Sequence, residues 1–157
     1  MQLDLDLSTA DSVSAYLNGR TKWMNVITGD TGFNWGNPEA YISADDTCPA
    51  GYPSTIDDIY ICGRDECIDG PYNVLGSAGP RFTLNGKSLS GIMRFDKEDV
   101  IRYSAADWEG VVLHEMGHVF GIGTTWGAFV NQTLSHYTGT NGVNVWQNDW
   151  GCSGNPP

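Results

Sequence analysis

Apolar and polar residues alternate at the start of the chain, where residues 3–7 read Leu-Asp-Leu-Asp-Leu. A period of two is typical of a strand with one buried face, so this segment is predicted to be a β-strand. From Ser8 the period lengthens, and apolar residues recur at helical spacing as far as Ile27. Ser8 or Thr9 can cap this predicted helix, because a hydroxyl accepts the unpaired backbone N–H groups of its first turn. The glycines within 28–32 are expected to end it.

The middle of the chain holds short β-prone segments between glycine-rich and proline-rich turns. Residues 30–55 are rich in Gly, Pro, Asn and Asp and are predicted to form a long surface loop. Residues 76–91 are also predicted to be a loop, with Asn85-Gly86 as a hairpin turn. The predicted strands are 56–62, 72–75 and 91–96. Helices and several short strands in this order indicate an α+β domain.

The pattern weakens after Gly121, where Gly, Asn and Thr become frequent and one short helix is predicted near 141–148. We therefore expect an N-terminal subdomain over 1–121 and a loop-rich segment over 122–157. The second segment ends without a helix or strand, as the incomplete start of an insertion or C-terminal subdomain would.

A helix at about 105–120 carries the candidate chemistry. Ser104-Ala-Ala-Asp107 has the form of a capping box at its start. At 100° per residue, His118 lies about 40° from His114 on the helical wheel, and Glu115 lies about 100° from it. The apolar residues fall on the other side of the helix: Val112, Leu113, Met116, Val119 and Phe120. The two histidines and the glutamate are therefore predicted to lie off the apolar face.

The spacing of these polar residues predicts a zinc site. Histidines at i and i+4 have Cβ atoms about 5–6 Å apart, so both imidazoles can bind one ion. His114-Glu115-Met-Gly-His118 is the H-E-x-x-H arrangement, in which two histidines bind zinc and the glutamate is the general base for a zinc-activated water. Gly121, three residues after His118, extends the match to the metzincin pattern. The alternative is a pair of solvated or core-capping histidines.

The third protein ligand of a catalytic zinc has no clear candidate. Compact metzincins place it where this chain has Thr124, and no glutamate follows Glu115. His136 and Asp149 are the downstream candidates within the chain. The other alternative is a ligand beyond Pro157.

Composition narrows the class of protein. The net charge is −11, from 8 Lys+Arg and 19 Asp+Glu, which argues against nucleic acid as a partner. No stretch of the chain is long and apolar enough to span a membrane, and the N-terminus lacks the pattern of a signal peptide. Four cysteines, an even number, suit an oxidising compartment. Cys62 and Cys67 can close a small disulfide, although the sequence leaves the connectivity open.

Residues 113–126, which read LHEMGHVFGIGTTW, resemble the zinc helix of leishmanolysin-like metallopeptidases, in which an insertion separates this segment from the third histidine and a methionine turn. Further segments resemble the first long helix, the central strands and the insertion of that family: 23–30, 56–61, 68–71, 74–80, 91–96, 137–141 and 151–152.

The resemblance implies a metzincin-like N-terminal subdomain. Such a subdomain has a twisted, mostly parallel sheet with an antiparallel edge strand, one long N-terminal helix and one active-site helix. It also implies a secreted or cell-surface zinc endopeptidase with His114 and His118 as ligands and Glu115 as the base. An extended peptide or protein substrate would lie along the strand at 91–96.

This chain departs from the family because the segment with the third histidine and the methionine turn is absent. The alternative is therefore a truncated or degenerate fragment that binds zinc weakly or not at all. A secreted recognition module, suggested by 6 Trp and 7 Tyr, is a further alternative.

Overall fold

The computed structural model describes residues 1–30, 32–36, 54–123, 125, 130–131, 136–149 and 151–155. The chain divides into two compact units, Met1–Ile122 and Gly123–Pro157. The elements of the first unit are β1 (Gln2–Asp6), α1 (Ala10–Val26), β2 (Asn34–Gly36), β3 (Thr55–Asp57), β4 (Tyr60–Glu66), β5 (Gly76–Leu84), β6 (Lys87–Asp96), α2 (Lys97–Val100) and α3 (Ala105–Val119). Those of the second unit are β7 (Val130–Asn131), β8 (His136–Tyr137), α4 (Thr140–Asn144) and a π-helical turn, Val145–Asp149.

A four-stranded mixed sheet organises the first unit, with the strands in the order β1-β4-β6-β5. β1, β4 and β6 are parallel, and β5 runs antiparallel to β6 at one edge. Together with the long N-terminal helix α1, this confirms the predicted α+β class and the mostly parallel sheet. Among the described residues, no helix combines the length and the apolar character that crossing a bilayer requires.

The first strand and the first helix follow the sequence pattern closely. Thr9 caps α1, and its hydroxyl accepts the backbone N–H of Ser12 at 3.0 Å. Gly19, on the buried face of α1, lies against α3: a Cβ at this position would be 3.5 Å from Val112 Cγ1. The glycine that weakens the helix on propensity grounds therefore lets the two helices pack closely.

The main core lies between the sheet and the two long helices. Phe95 of β6 is at its centre, edge-on to Tyr16 with ring centroids 5.6 Å apart and to Trp108 at 5.1 Å. The other buried residues of this core are Ala15, Ile59, Ile61, Met93, Val100, Val112, Met116 and Val119. A smaller cluster contains Ile56, Tyr60, Cys62 and Ile92. Alternate residues of β4 and β6 belong to the two clusters, so these strands contribute apolar side chains on both faces of the sheet.

Four predictions for the middle of the chain were wrong. The loop predicted at 30–55 contains β2, which pairs with β3 antiparallel, and 31 and 37–53 of it lie outside the described residues. The strand predicted at 56–62 is two strands, because Asp58 has φ 64° and interrupts the extended chain. No strand forms at 72–75: Tyr72 has φ 70°, and its N–H donates to the Asp99 carboxylate at 2.8 Å. Residues 76–91 are β5 and the first half of β6 rather than a loop. The Asn85-Gly86 turn within them is confirmed, with φ 51° and 75°, as a type I′ hairpin requires.

The strand at 91–96 is not an edge strand. It is part of β6, which pairs with β4 on one side and β5 on the other. Since both sides of β6 are hydrogen-bonded within the sheet, it cannot pair with an added peptide. The edge strand beside β6 is β5, whose Gly-Ser-Ala-Gly-Pro start explains why hydrophobic periodicity missed it.

Candidate metal centre

The helix that carries the two histidines begins and ends as the sequence predicts. Ser104 caps α3, accepting the N–H of Asp107 at 3.2 Å and donating its hydroxyl to the Asp107 carboxylate at 2.6 Å. Gly121, with φ 96°, ends the helix. Its N–H bonds to the carbonyl of His118 and that of Ile122 to the carbonyl of Gly117, both at 3.0 Å, which is a Schellman motif.

The faces of α3 agree with the helical wheel. Trp108, Val112, Met116 and Val119 are buried in the core. On the other side, His114 is exposed, and Glu115 and His118 are half-buried. The apolar stripe thus fixes the rotation of the helix and directs the histidines away from the core.

The two imidazoles converge. The Nε2 atoms of His114 and His118 lie 3.1 Å apart, and the ring planes are inclined at 88° with centroids separated by 4.7 Å. Two nitrogens bound to one zinc at about 2.0–2.1 Å with tetrahedral angles lie about 3.3 Å apart. The observed separation is therefore close to that of two nitrogens bound to one cation.

Glu115 completes a group of three side chains of metal-binding residue types, whose potential donor atoms all lie within 4.8 Å of one another. Within the described parts of the chain, no other set of three His, Cys, Asp or Glu side chains is so arranged. The group can hold a metal ion. The sequence-predicted site residues His114, Glu115 and His118 are thus brought together.

A backbone carbonyl orients one of the two histidines. Nδ1 of His118 lies 2.7 Å from the carbonyl oxygen of Ile122. Because a carbonyl oxygen only accepts, Nδ1 carries the proton, and in the neutral ring Nε2 keeps its lone pair for a metal. The turn at Gly121 brings the Ile122 carbonyl to this position, so this glycine contributes to the orientation of His118 as well as to the end of the helix.

A groove lies along the helix beside this site. One wall is formed by Val74, Leu75 and Gly76, where the chain enters β5. The opposite wall is formed by α3 and reaches the candidate site: Asp107, Gly110, Val111, His114 and Glu115. A Cβ at Gly110 would have no other atom within 4 Å, so the glycine leaves this stretch of the groove wide.

Buried Asp96 holds the segment that leads to the groove wall. One carboxylate oxygen accepts the backbone N–H groups of Ile68, Asp69 and Gly70 at 2.9–3.0 Å, and the other accepts that of Glu98 at 2.9 Å. The hydrogen bond from Glu98 and those from the loop lower the pKa of Asp96 to about 2. The carboxylate therefore stays ionised and keeps the loop fixed across the physiological pH range.

A buried phenol lies close enough to the site to respond to its charge. Burial raises the pKa of Tyr16 well above 10.0, and the negative charges of Asp65 and Glu115 raise it further. Tyr16 therefore stays protonated, and its ring serves the core.

Several predicted features lie elsewhere or were wrong. Thr124 falls outside the described residues. His136 and Asp149 belong to the second unit, so a third ligand from that segment remains a prediction. The disulfide between Cys62 and Cys67, one of the pairings that the sequence left open, does not form: Cys62 is disulfide-bonded, whereas Cys67 is a free thiol. Five residues of extended chain span about 16 Å, and a disulfide requires Cα atoms within about 7 Å.

Sequence reasoning missed two contributors to the site. Trp23 of α1 donates its indole N–H to the carbonyl of Leu113, the residue before His114, at 3.1 Å. Val74 to Gly76 form a groove wall although the segment was interpreted as a strand and a loop. Gly117 in mid-helix was a usable signal for the first, because a glycine inside a helix often marks a close contact.

Comparison with protein-family models gives no match to this chain, and comparison with curated proteins gives none either.

Proposed function

We propose that this chain is the zinc-binding part of a metalloendopeptidase of the leishmanolysin-like, metzincin type. The observation that carries the proposal is the 3.1 Å separation of the His114 and His118 Nε2 atoms, with Glu115 in the same cluster. Imidazole is a common ligand of zinc, as it is of copper, iron and nickel, and the H-E-x-x-H spacing favours zinc among these ions. The Schellman turn at Gly121 supports the metzincin assignment, as does the mixed sheet with an antiparallel edge strand.

His114 and His118 would hold the zinc through Nε2. Bound zinc supplies Lewis acidity, which polarises a peptide carbonyl and acidifies water. Glu115 accepts a proton from the attacking water and delivers it to the leaving amine, so its carboxylate has to be ionised at the start of each cycle. The Ile122 carbonyl holds the proton on Nδ1 of His118 throughout.

The substrate in this proposal is an extended peptide that pairs with β5. On one side this strand is hydrogen-bonded to β6. On the other side it has no neighbouring strand among the described residues, so its backbone groups can pair with a peptide. Its first residue, Gly76, lines the groove that also contains His114 and Glu115. A strand added to this edge by β-augmentation would therefore pass the candidate catalytic group.

The compartment in this proposal is extracellular, with the protein either secreted or held at a cell surface. The disulfide at Cys62 supports it, because structural disulfides persist mainly in oxidising compartments.

Hydrolysis of quenched fluorescent peptides in the presence of zinc tests the proposal. Glu115→Gln should retain the metal and lose at least about 100-fold in rate. Glu109→Gln is the matched control, because Glu109 is on the same helix but bonds to Lys22 and Asn18 of α1. If Glu115→Gln cut peptides at the parent's rate, the assignment of the base would be wrong.

The second candidate function is a degenerate, non-catalytic domain that keeps the fold and binds zinc weakly or not at all. The observation that favours it is that the cluster found among the described residues has two histidines and no third ligand other than Glu115. Two histidines alone make a weak, strongly hydrated site. Submicromolar zinc binding would therefore require a further ligand within the chain, and a loss of that affinity in His136→Ala would identify it.

A further inference from the structure

One side chain of α1 supports the turn of α3 that lies between the two histidines. The indole N–H of Trp23 donates to the carbonyl oxygen of Leu113 at 3.1 Å. That carbonyl belongs to the peptide group joining Leu113 to His114. In an α-helix the same oxygen also accepts the N–H of the residue four positions later, here Gly117, and a carbonyl has lone pairs for both bonds. Trp23 thus fixes the peptide plane next to the first histidine.

Gly117 makes this contact geometrically accessible. A Cβ at this position would lie 3.2 Å from Cζ2 of Trp23, closer than most side-chain contacts. Glycine in a helix interior lowers helix stability by about 1 kcal/mol relative to alanine, and a close packing contact can offset that loss. The close approach of the indole to the helix backbone supplies that packing.

Trp23 also contacts the end of the helix that orients the second histidine. Its ring packs on Phe120 with centroids 5.0 Å apart. Phe120 is the C-cap, two residues before Ile122, whose carbonyl accepts from Nδ1 of His118. A single side chain therefore restrains the backbone beside both imidazoles.

We propose that Trp23 is a positioning residue of the metal site: its indole N–H and ring hold the Leu113–Ile122 backbone so that the two Nε2 atoms remain at ligand separation. The inference rests on the proposed function in one respect, that the histidine pair binds a metal ion. Trp23 itself touches neither the metal nor a substrate.

Cobalt titration of two tryptophan variants tests this role. Trp23→Phe keeps an aromatic ring but removes the donor. Trp108→Phe makes the same change at a residue that is 1% exposed in the core and whose Nε1 has no hydrogen-bond partner among the described residues. We expect Trp23→Phe to weaken Co²⁺ binding about tenfold and to change its visible absorption, because the backbone that carries the two histidines is then less restrained. Trp108→Phe should lower Tm and leave affinity and spectrum within about twofold of the parent's.

If Trp23→Phe and Trp108→Phe bound Co²⁺ with the same affinity and the same spectrum, whether unchanged from the parent or equally weakened, the inference would be overturned. Failure of the parent to cut peptides does not affect it. If the parent binds no cobalt, the proposed function fails, and amide hydrogen exchange decides the positioning role on its own. Gly117 and His118 should then exchange at least about tenfold faster in Trp23→Phe than in Trp108→Phe, and equal rates would refute it.

Discussion

Gly91 of β6 lies directly against Val119 of α3: a Cβ at position 91 would overlap Cγ1 of Val119 and lie 2.9 Å from the Gly79 carbonyl oxygen. Val119 follows His118, so this contact holds the end of α3 that bears the second histidine directly against the central strand. The absence of a side chain at position 91 therefore sets the distance between the histidine-bearing helix and the sheet.

Gly91→Ala is expected to lower the free energy of unfolding by about 1–3 kcal/mol, because the added methyl forces the helix and sheet apart. Gly79→Ala, in the neighbouring strand, is the control, since a Cβ there would have no other atom within 4 Å. Urea denaturation of both variants measures the difference. Equal stability of the two would show that the helix does not rest on Gly91.

Gly121→Ala should destabilise the fold by about 1–2 kcal/mol, because φ 96° is unfavourable for a residue with a side chain. It should also weaken metal binding, since the Ile122 carbonyl that orients His118 follows this residue. Gly110→Ala, in the open interior of the same helix, should instead stabilise the protein by about 0.5–1 kcal/mol. Thermal unfolding with and without zinc separates the two effects, and a stabilised Gly121→Ala protein would contradict the turn geometry.

The Tyr16 side chain is 0% exposed, yet its hydroxyl has no hydrogen-bond partner among the described residues. Removing an unsatisfied buried hydroxyl relieves its desolvation cost, so Tyr16→Phe should raise the free energy of unfolding by about 1 kcal/mol. Tyr16→Leu is the control and should lower it, because the edge-on contact with Phe95 is lost. Chemical denaturation provides both values. A destabilised Tyr16→Phe protein would mean that a buried water bonds to the hydroxyl.

Asp96 makes the stability of the fold depend on pH in the acid range. Its pKa falls from 3.8 to about 2 on folding, so the ionised carboxylate stabilises the fold fully above pH about 5. That contribution is lost as the pH falls through about 4 towards 2, where the folded carboxylate also becomes protonated. Asp96→Asn should lower Tm by several degrees at pH 7, and by progressively less as the pH approaches 2. A difference in Tm that stays constant from pH 7 to pH 2 would exclude the proposed role of the charge.

The features predicted from the sequence are those that depend on local chain geometry. The caps at Thr9 and Ser104, the helix end at Gly121 and the convergence of His114 with His118 all follow from spacing within one helix. Each needs only a few residues of context, and each was confirmed.

The features that the sequence did not predict depend on contacts between distant segments. β5 begins with small residues and contains Pro80, and it becomes a strand because β6 pairs with it. Which strand lies at the edge depends on the order of the strands in the sheet, and the periodicity of a single strand gives no information about that order. The Trp23 bond joins residues 90 positions apart, and no local pattern distinguishes an indole that supports a neighbouring helix from one that simply fills the core.

Joint binding of one divalent cation by His114 and His118 underlies the proposed function, and zinc titration measures it. The proteins to titrate are the parent, His114→Ala, His118→Ala and the double variant His114→Ala/His118→Ala. We expect one zinc ion per parent chain and loss of that ion in all three variants. A parent that binds no zinc, or a double variant that binds it with the parent's stoichiometry and affinity, would show that the two histidines do not form the metal site.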